Sequence, residues 1–277
     1  MNALLDIPQL IYTLLIQLAC GIALACQFAP GERGFLKQQA LFAFTFLFLA
    51  PLLRVIMEHS VSPAVSRWEM YCIGALGAGL IADFWLKYEP DARPFERILG
   101  WLLTGAAIAL LFCASLPYDA ADSPELGTAT TFFLSLGSAM LLGSIWVAMA
   151  GSRQSRETGL PLPDNAFFSR LLFLGCSGFV LTAIFTPLAL PLQLSPRQIL
   201  PATPESIADW HAWHCGLSGF AILTFLVAVY RTHLLAGARD KGEDIIPGLP
   251  SMGFAFILAL LGEAVGRVAF LTAWMPV

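Results

Sequence analysis

Long apolar segments alternate with short polar breaks along the whole chain. A helix that crosses a membrane needs about 20 mostly apolar residues, and eight segments meet that requirement. The breaks contain turn-forming residues, as in APGERG, YEPDARP, PYDAADSPE and GLPLPDN. The pattern predicts eight transmembrane helices, approximately at residues 8–28, 38–58, 68–87, 97–116, 127–150, 167–190, 212–235 and 251–272.

None of the breaks is long enough to hold a soluble domain. The longest, around PLQLSPRQILPATPESIADW, spans roughly 20 residues, too few for an independently folded unit. Lipid cannot satisfy free backbone N–H and C=O groups, so segments that cross a membrane form regular helices. We therefore expect residues 1–277 to form one all-α integral membrane domain, a bundle of eight transmembrane helices.

Composition supports this expectation. The chain is 57% hydrophobic and 12% charged, with a mean hydropathy of +0.74. Ordinary soluble domains carry about twice this fraction of charged residues, so the chain is predicted to lie in a lipid bilayer. Lys and Arg form no basic patch, which argues against nucleic acid as a partner.

The cysteines form no C-x-x-C motif, and most of them fall inside apolar segments. They are Cys20, Cys26, Cys72, Cys113, Cys176 and Cys215. An iron–sulfur cluster or a structural zinc site requires several thiolates close together. This spacing predicts neither in this chain, and it is typical of cysteines that act as small buried apolar side chains.

Basic residues concentrate in alternate breaks, which predicts the orientation in the membrane. The breaks after the first, third, fifth and seventh helices contain Arg33, Lys37, Lys87, Arg93, Arg97, Arg153, Arg156, Arg231, Arg239 and Lys241. The opposite breaks contain only Arg67 and Arg197. We therefore predict that both termini face outward. The opening MNALLDIPQ has no Lys or Arg and is not expected to be the start of a signal peptide.

The second predicted helix ends in a polar segment, RVIMEHSVSPAV. From Gln38 to His59 a helix rises about 32 Å, so His59 is expected at the outer boundary of the membrane. Pro63 disfavours helical geometry in the residue before it, so the helix should end just past His59. The imidazole can exchange protons near neutral pH. Three interpretations of His59 remain open: an interfacial histidine without a role, a proton acceptor that binds a quinone, or a haem ligand.

Two pairs of opposite charges lie four residues apart on predicted helices. Arg54 and Glu58 share a helix face beside His59, either as a neutralising pair near the interface or as part of a polar pocket. Glu263 and Arg267 lie in the last helix, within LLGEAVGRVAF. The glycines of that segment form a G-x-x-x-G motif, which is typical of close contacts between membrane helices. It predicts a helix–helix junction with an internal ion pair.

Other ionisable residues occur in or near the apolar segments. Asp83 lies deep in the third predicted helix, near enough to its cytoplasmic end to reach headgroup water. A haem with two histidine ligands needs two imidazoles at similar depth. His59 could face His211 or His214, whereas His233 has no partner at its own depth. Two haems are therefore excluded, and a single haem remains an alternative.

Three segments resemble a known family, the membrane anchor subunits of DMSO reductase-type molybdoenzymes (the DmsC family). They are IPQLIYTLLIQLACG in the first helix, MEHSVSP at the end of the second and LLGEAVGRVAF in the last. The number of helices and the outward termini are also similar. The resemblance implies a multi-pass protein of the bacterial inner membrane that holds neither haem nor an iron–sulfur cluster.

The resemblance further implies a function in anaerobic electron transport. Such an anchor binds and oxidises menaquinol near the periplasmic face, and it passes electrons to a four-cluster, ferredoxin-like iron–sulfur subunit. That subunit supplies a molybdopterin catalytic subunit, which carries out the terminal reduction. By this resemblance His59 is the proton-accepting residue of the quinol site, with Arg54 and Glu58 beside it, and Glu263 and Arg267 form the motif of the last helix.

Two other classes of protein remain open at this stage. Buried charges, kinking prolines and glycine-rich helices are compatible with a secondary transporter, although no inverted repeat of the kind common in transporters is evident. A haem-containing cytochrome b-type anchor is the third possibility. A flux assay in liposomes and a haem absorption spectrum distinguish these classes from a quinol-oxidising anchor.

Overall fold

The computed structural model of the protein describes residues 7–29, 31–56, 67–89, 93–116, 124–158, 163–193, 204–236 and 248–274. Within these residues the chain is all-helical, which confirms the predicted fold class. The helices are α1 (Ile7–Phe28), α2 (Arg33–Ile56), α3 (Arg67–Leu86), α4 (Arg93–Cys113), α5 (Pro124–Thr158), α6 (Asn165–Gln193), α7 (Pro204–Ala236) and α8 (Leu249–Trp274). All eight are long and apolar enough to cross a membrane.

Several helices extend beyond their apolar segments. Helix α2 begins at Arg33, five positions before the predicted start. Polar residues outside the hydrocarbon can belong to the same helix as the apolar segment. Helix α5 has 35 residues, and at about 1.5 Å per residue it is longer than the hydrocarbon thickness of about 30 Å. Pro51 lies inside α2 without ending it. Hydropathy therefore located the membrane-crossing part of each helix rather than its ends.

The helices pack as two rings of four. In the first ring α1 contacts α2, α2 contacts α3, α3 contacts α4, and α4 returns to α1. Helices α5 to α8 form the second ring in the same order, and α1 and α5 join the two rings. These two helices are the most deeply buried, with 67% and 61% of their membrane-crossing windows inside the protein, against 28% for α2, α3, α4 and α8.

Contacts between helix starts define the two ends of the bundle. Tyr12 near the start of α1 meets Glu69 near the start of α3, whereas Arg33 at the start of α2 pairs with Glu96 near the start of α4 (2.9 Å). We call the end where the odd-numbered helices begin the first face, and the opposite end the second face. The predicted orientation makes the first face periplasmic.

Exposed aromatic side chains occur near both faces. Trp68 and Trp213 lie near the first face, and Trp85, Tyr88 and Tyr230 lie near the second. Tryptophan and tyrosine favour the membrane–water boundary because one end of the ring is polar and the rest apolar. Large exposed Leu, Ile and Phe side chains lie between these positions. The chain is a multi-pass membrane protein.

Glycines allow α1 and α5 to approach closely at the junction of the rings. A Cβ atom on Gly21 would collide with the carbonyl oxygen of Ala139, and one on Gly143 would collide with the backbone of Gly21. The backbones therefore pack directly against each other, and dispersion contacts gain from this proximity. No larger residue fits at either position without moving the helices apart.

Replacing Gly21 with alanine is therefore expected to lower the thermal stability of the protein in detergent. Overpacking costs about 1–3 kcal/mol, which exceeds the helix propensity of about 1 kcal/mol that alanine gains over glycine. Gly105→Ala is the matched control, since a Cβ atom there meets nothing within 4 Å. We expect the control to melt at or slightly above the wild-type temperature. Equal melting of the two variants would contradict the glycine contact.

Candidate functional site

The predicted quinol site lies where α2 ends and α3 begins, at the first face. His59 and Glu58 lie outside the described residues, and Arg54 belongs to the last turn of α2. The described part of the site is therefore the start of α3 together with the helices that pack against it. Helix α3 contacts α2 and α4 within the first ring.

A buried carboxylate lies at the start of α3. Glu69 is only 3% exposed, and the hydroxyl of Tyr12 donates a hydrogen bond of 2.5 Å to its Oε1 atom. Tyr12 is itself 1% exposed. A carboxyl group is costly to bury in a membrane protein, and such residues usually serve a function. Glu69 follows His59 by ten positions in the chain.

Sequence reasoning did not single out Glu69 or Tyr12. Glu69 lies in the first turn of a helix, where an acidic residue is common because its negative charge interacts favourably with the helix dipole. A signal was nevertheless present, since Glu69 falls on one helical stripe with Ile73, Leu76 and Leu80, all of them buried. An acidic residue is common on the solvated side of a helix, whereas it is unusual on the apolar side that faces the core.

A second polar cluster lies near the first face of the other ring, between α7 and α8. The Nδ1 atom of His214 lies 2.7 Å from the carbonyl oxygen of Gly262. Because a carbonyl oxygen only accepts, Nδ1 carries the proton and donates it. The other ring nitrogen, Nε2, faces Oε1 of Glu263 at 4.0 Å. At this distance the two atoms do not form a direct hydrogen bond.

Arg267 brings α5 into the same cluster. Its guanidinium donates a 2.7 Å hydrogen bond to the hydroxyl of Ser135, which is 132 positions away in the chain. Glu263 and Arg267 are 2% and 6% exposed, so both charged groups are inside the protein. His211 is buried one turn from His214. The internal ion pair between Glu263 and Arg267 remains a prediction.

The predicted close packing at the G-x-x-x-G motif is confirmed, and the partner is α7. A Cβ atom on Gly266 would lie 2.5 Å from Nδ1 of His214, and one on Gly262 would lie 3.0 Å from the hydroxyl of Ser218. The glycines thus allow His214 to reach the backbone of α8. The cavity beside this cluster has a volume of about 20 Å³. That volume holds about one water molecule.

A larger cavity lies inside the first ring at the second face. Its volume is about 350 Å³, and all four helices of the ring line it. Asp83 and Lys87 form a buried ion pair there, so Asp83 does not simply reach headgroup water as the sequence suggested. The side chain of Gln39 is buried, and its Oε1 accepts a hydrogen bond of 3.1 Å from the indole of Trp146. Polar and apolar side chains contribute similar shares of the wall of this cavity.

No model of a known protein family, no curated protein and no solved structure matches this chain. The likeness to DMSO reductase-type anchor subunits therefore remains an expectation from the three sequence motifs. Function has to be argued from the buried polar groups and from their positions relative to the two faces.

Proposed function

We propose that the chain is the membrane anchor of a DMSO reductase-like complex. It binds menaquinol near the first face, oxidises it and passes the electrons to an iron–sulfur subunit docked there. The observation that carries this proposal is the buried carboxylate of Glu69, held by Tyr12 beside the connection that contains His59. The resemblance of MEHSVSP and LLGEAVGRVAF to the family's motifs supports it.

Quinol oxidation requires groups that accept protons at the site. Each quinol releases two electrons and two protons as it becomes a quinone. His59 accepts a hydrogen bond from one quinol hydroxyl and then takes its proton, a step that suits a histidine of near-neutral pKa. Arg54 and Glu58 orient the headgroup or balance the charge that His59 gains. At the outer boundary of the membrane the proton then leaves to water.

Glu69 serves as the second polar group of this site. The hydrogen bond from Tyr12 fixes the position of the Glu69 carboxylate at the start of α3. A group held on a rigid helix start keeps its position better than one on a loop. The electrons leave through the iron–sulfur cluster that the partner subunit supplies when the complex is assembled. The molybdopterin subunit then performs the terminal reduction.

Replacing Glu69 with glutamine tests this proposal directly. We expect the quinol-dependent reduction rate of the assembled complex to fall roughly 100-fold, because a group that moves a proton contributes about this factor. Tyr12→Phe should lower the rate about 10- to 150-fold, since one hydrogen bond to a charged group contributes roughly 1.5–3 kcal/mol. Reduction driven by a soluble artificial electron donor should be unchanged in both variants, which shows that the complex has assembled.

A control glutamate is available on another helix. Glu157 in the last turns of α5 is exposed and pairs with Arg153 four residues away. Glu157→Gln changes the same functional group outside the proposed site, and its quinol-dependent rate should match the wild type. Wild-type turnover in Glu69→Gln would remove Glu69 from the mechanism.

The cavity inside the first ring favours a secondary transporter as a second candidate function. Its volume of about 350 Å³ lies in the range of pockets for small molecules. A transporter would move a solute across liposomes that contain the purified chain alone, whereas a quinol-oxidising anchor would show quinone binding and no flux. The two assays on one preparation separate the candidates.

A further inference from the structure

Two cysteines of neighbouring helices meet near the first face. Cys72 lies in the second turn of α3, and Cys113 is the last residue of α4. Their Sγ atoms are 3.8 Å apart, and both side chains are partly accessible. Exposed Trp68 and Tyr71 on the same turns of α3 indicate the depth of the membrane–water boundary. The two cysteines therefore lie near the predicted membrane–water boundary of the first face.

The geometry is close to that of a disulfide. The sulfur atoms must approach from 3.8 Å to about 2.05 Å, the length of an S–S bond. Cys113 is the last residue of α4 and is followed by a turn at residues 114–116. Helix ends also fray more readily than helix interiors. The two sulfur atoms are therefore neighbours across the contact between α3 and α4.

We propose that Cys72 and Cys113 form a disulfide that joins α3 to α4 at the first face. The predicted orientation places this face in the periplasm, where disulfides form and persist. One thiolate attacks the disulfide of an oxidising periplasmic dithiol protein and forms a mixed disulfide. The second thiolate then displaces that protein, which leaves as a dithiol with both electrons and both protons.

The bond would support the part of α3 that carries Glu69. Cys72 follows Glu69 by three positions, so both lie on the same side of the helix. Only 28% of the membrane-crossing window of α3 is buried, so much of its surface faces away from the other helices. A covalent link to α4 limits its movement and keeps Glu69 within reach of Tyr12. The proposal does not depend on quinol oxidation, because it rests on the sulfur contact and the face.

The redox state of the two thiols can be measured in cells. A variant retains Cys72 and Cys113, while Cys20, Cys26, Cys176 and Cys215 are replaced with alanine. Thiols are trapped by acid precipitation, the protein is denatured, and a polyethylene-glycol maleimide reports free thiols as a shift in gel mobility. We expect no shift without reductant and the shift of two thiols after reduction.

Three control variants make the result specific. Cys72→Ser and Cys113→Ser in this background should each show one free thiol without reductant. A variant that retains only Cys20 and Cys26 should show two, since six residues along one helix place the side chains about 9 Å apart along its axis. Two free thiols in the Cys72/Cys113 variant taken from cells would overturn the proposal.

Mass spectrometry of the unaltered protein covers the case in which the alanine background does not fold. Digestion without reductant is expected to yield the two peptides that contain Cys72 and Cys113 joined and lighter by two hydrogens. The same peptides should separate after reduction. Recovery of both peptides only in the free thiol form would equally overturn the proposal.

Discussion

Replacing His59 with alanine or arginine is expected to abolish quinol-dependent reduction by the assembled complex. Loss of a proton-accepting group lowers a rate by roughly 100-fold or more. Arginine adds a fixed positive charge and cannot accept a proton at physiological pH. Reduction with a soluble artificial donor should remain at the wild-type rate, because that route bypasses the membrane site. The measurement is the ratio of the two rates in membranes that contain all the subunits.

A second histidine provides the control for this prediction. His233 lies on α7 close to the second face, at the opposite end of the bundle from the connection between α2 and α3. His233→Ala removes the same functional group, and its quinol-dependent rate should stay within about twofold of wild type, a difference below roughly 0.5 kcal/mol. Quinol-dependent turnover at the wild-type rate in His59→Ala would rule out His59 as the proton acceptor.

Replacing Arg267 with methionine is expected to destabilise the protein strongly. Methionine keeps much of the volume of the side chain but leaves Glu263 buried without this positive charge nearby. Removing one partner from a set of buried charges costs about 3–5 kcal/mol, because the remaining charge stays desolvated. The Ser135 hydroxyl also loses the donor that it contacts at 2.7 Å. The apparent melting temperature in detergent measures the effect.

The double variant shows whether charge is the cause. Combining Arg267→Met with Glu263→Gln removes both charges, and it should recover most of the lost stability. The matched control is Arg153→Met, because Arg153 belongs to another pair four residues apart and its side chain is 72% exposed. An exposed pair contributes only about 0–1 kcal/mol. A double variant as unstable as Arg267→Met would show that packing, rather than charge, makes Arg267 important.

The two polar clusters near the first face belong to different rings. Tyr12 and Glu69 join α1 to α3, whereas His214, Glu263 and Arg267 join α7, α8 and α5. The predicted quinol site and the motif of the last helix are therefore carried by separate halves of the bundle. We expect substitutions in the second cluster to act mainly on stability, and those at Glu69 and His59 to act mainly on quinol turnover.

The sequence by itself determined the membrane class and the number of helices. Length and apolar content suffice for this, because a segment that crosses lipid must pair its own backbone groups and therefore becomes a helix. The close approach at Gly262 and Gly266 was also predictable, since the absence of a side chain is a property of the residue itself. The exact helix ends were not predictable, because polar residues near the headgroups are stable inside or outside a helix.

Only the tertiary structure decided which polar groups meet. Glu69 is 57 positions from Tyr12, and Arg267 is 132 positions from Ser135. The sequence could not pair them, because lipid and the protein interior are both apolar and both select the same residue types. Hydropathy consequently does not reveal which side of a membrane helix faces its neighbours. The packing of the two rings shows which sides of the helices face each other. It brings isolated polar residues together into the clusters on which the proposed function depends.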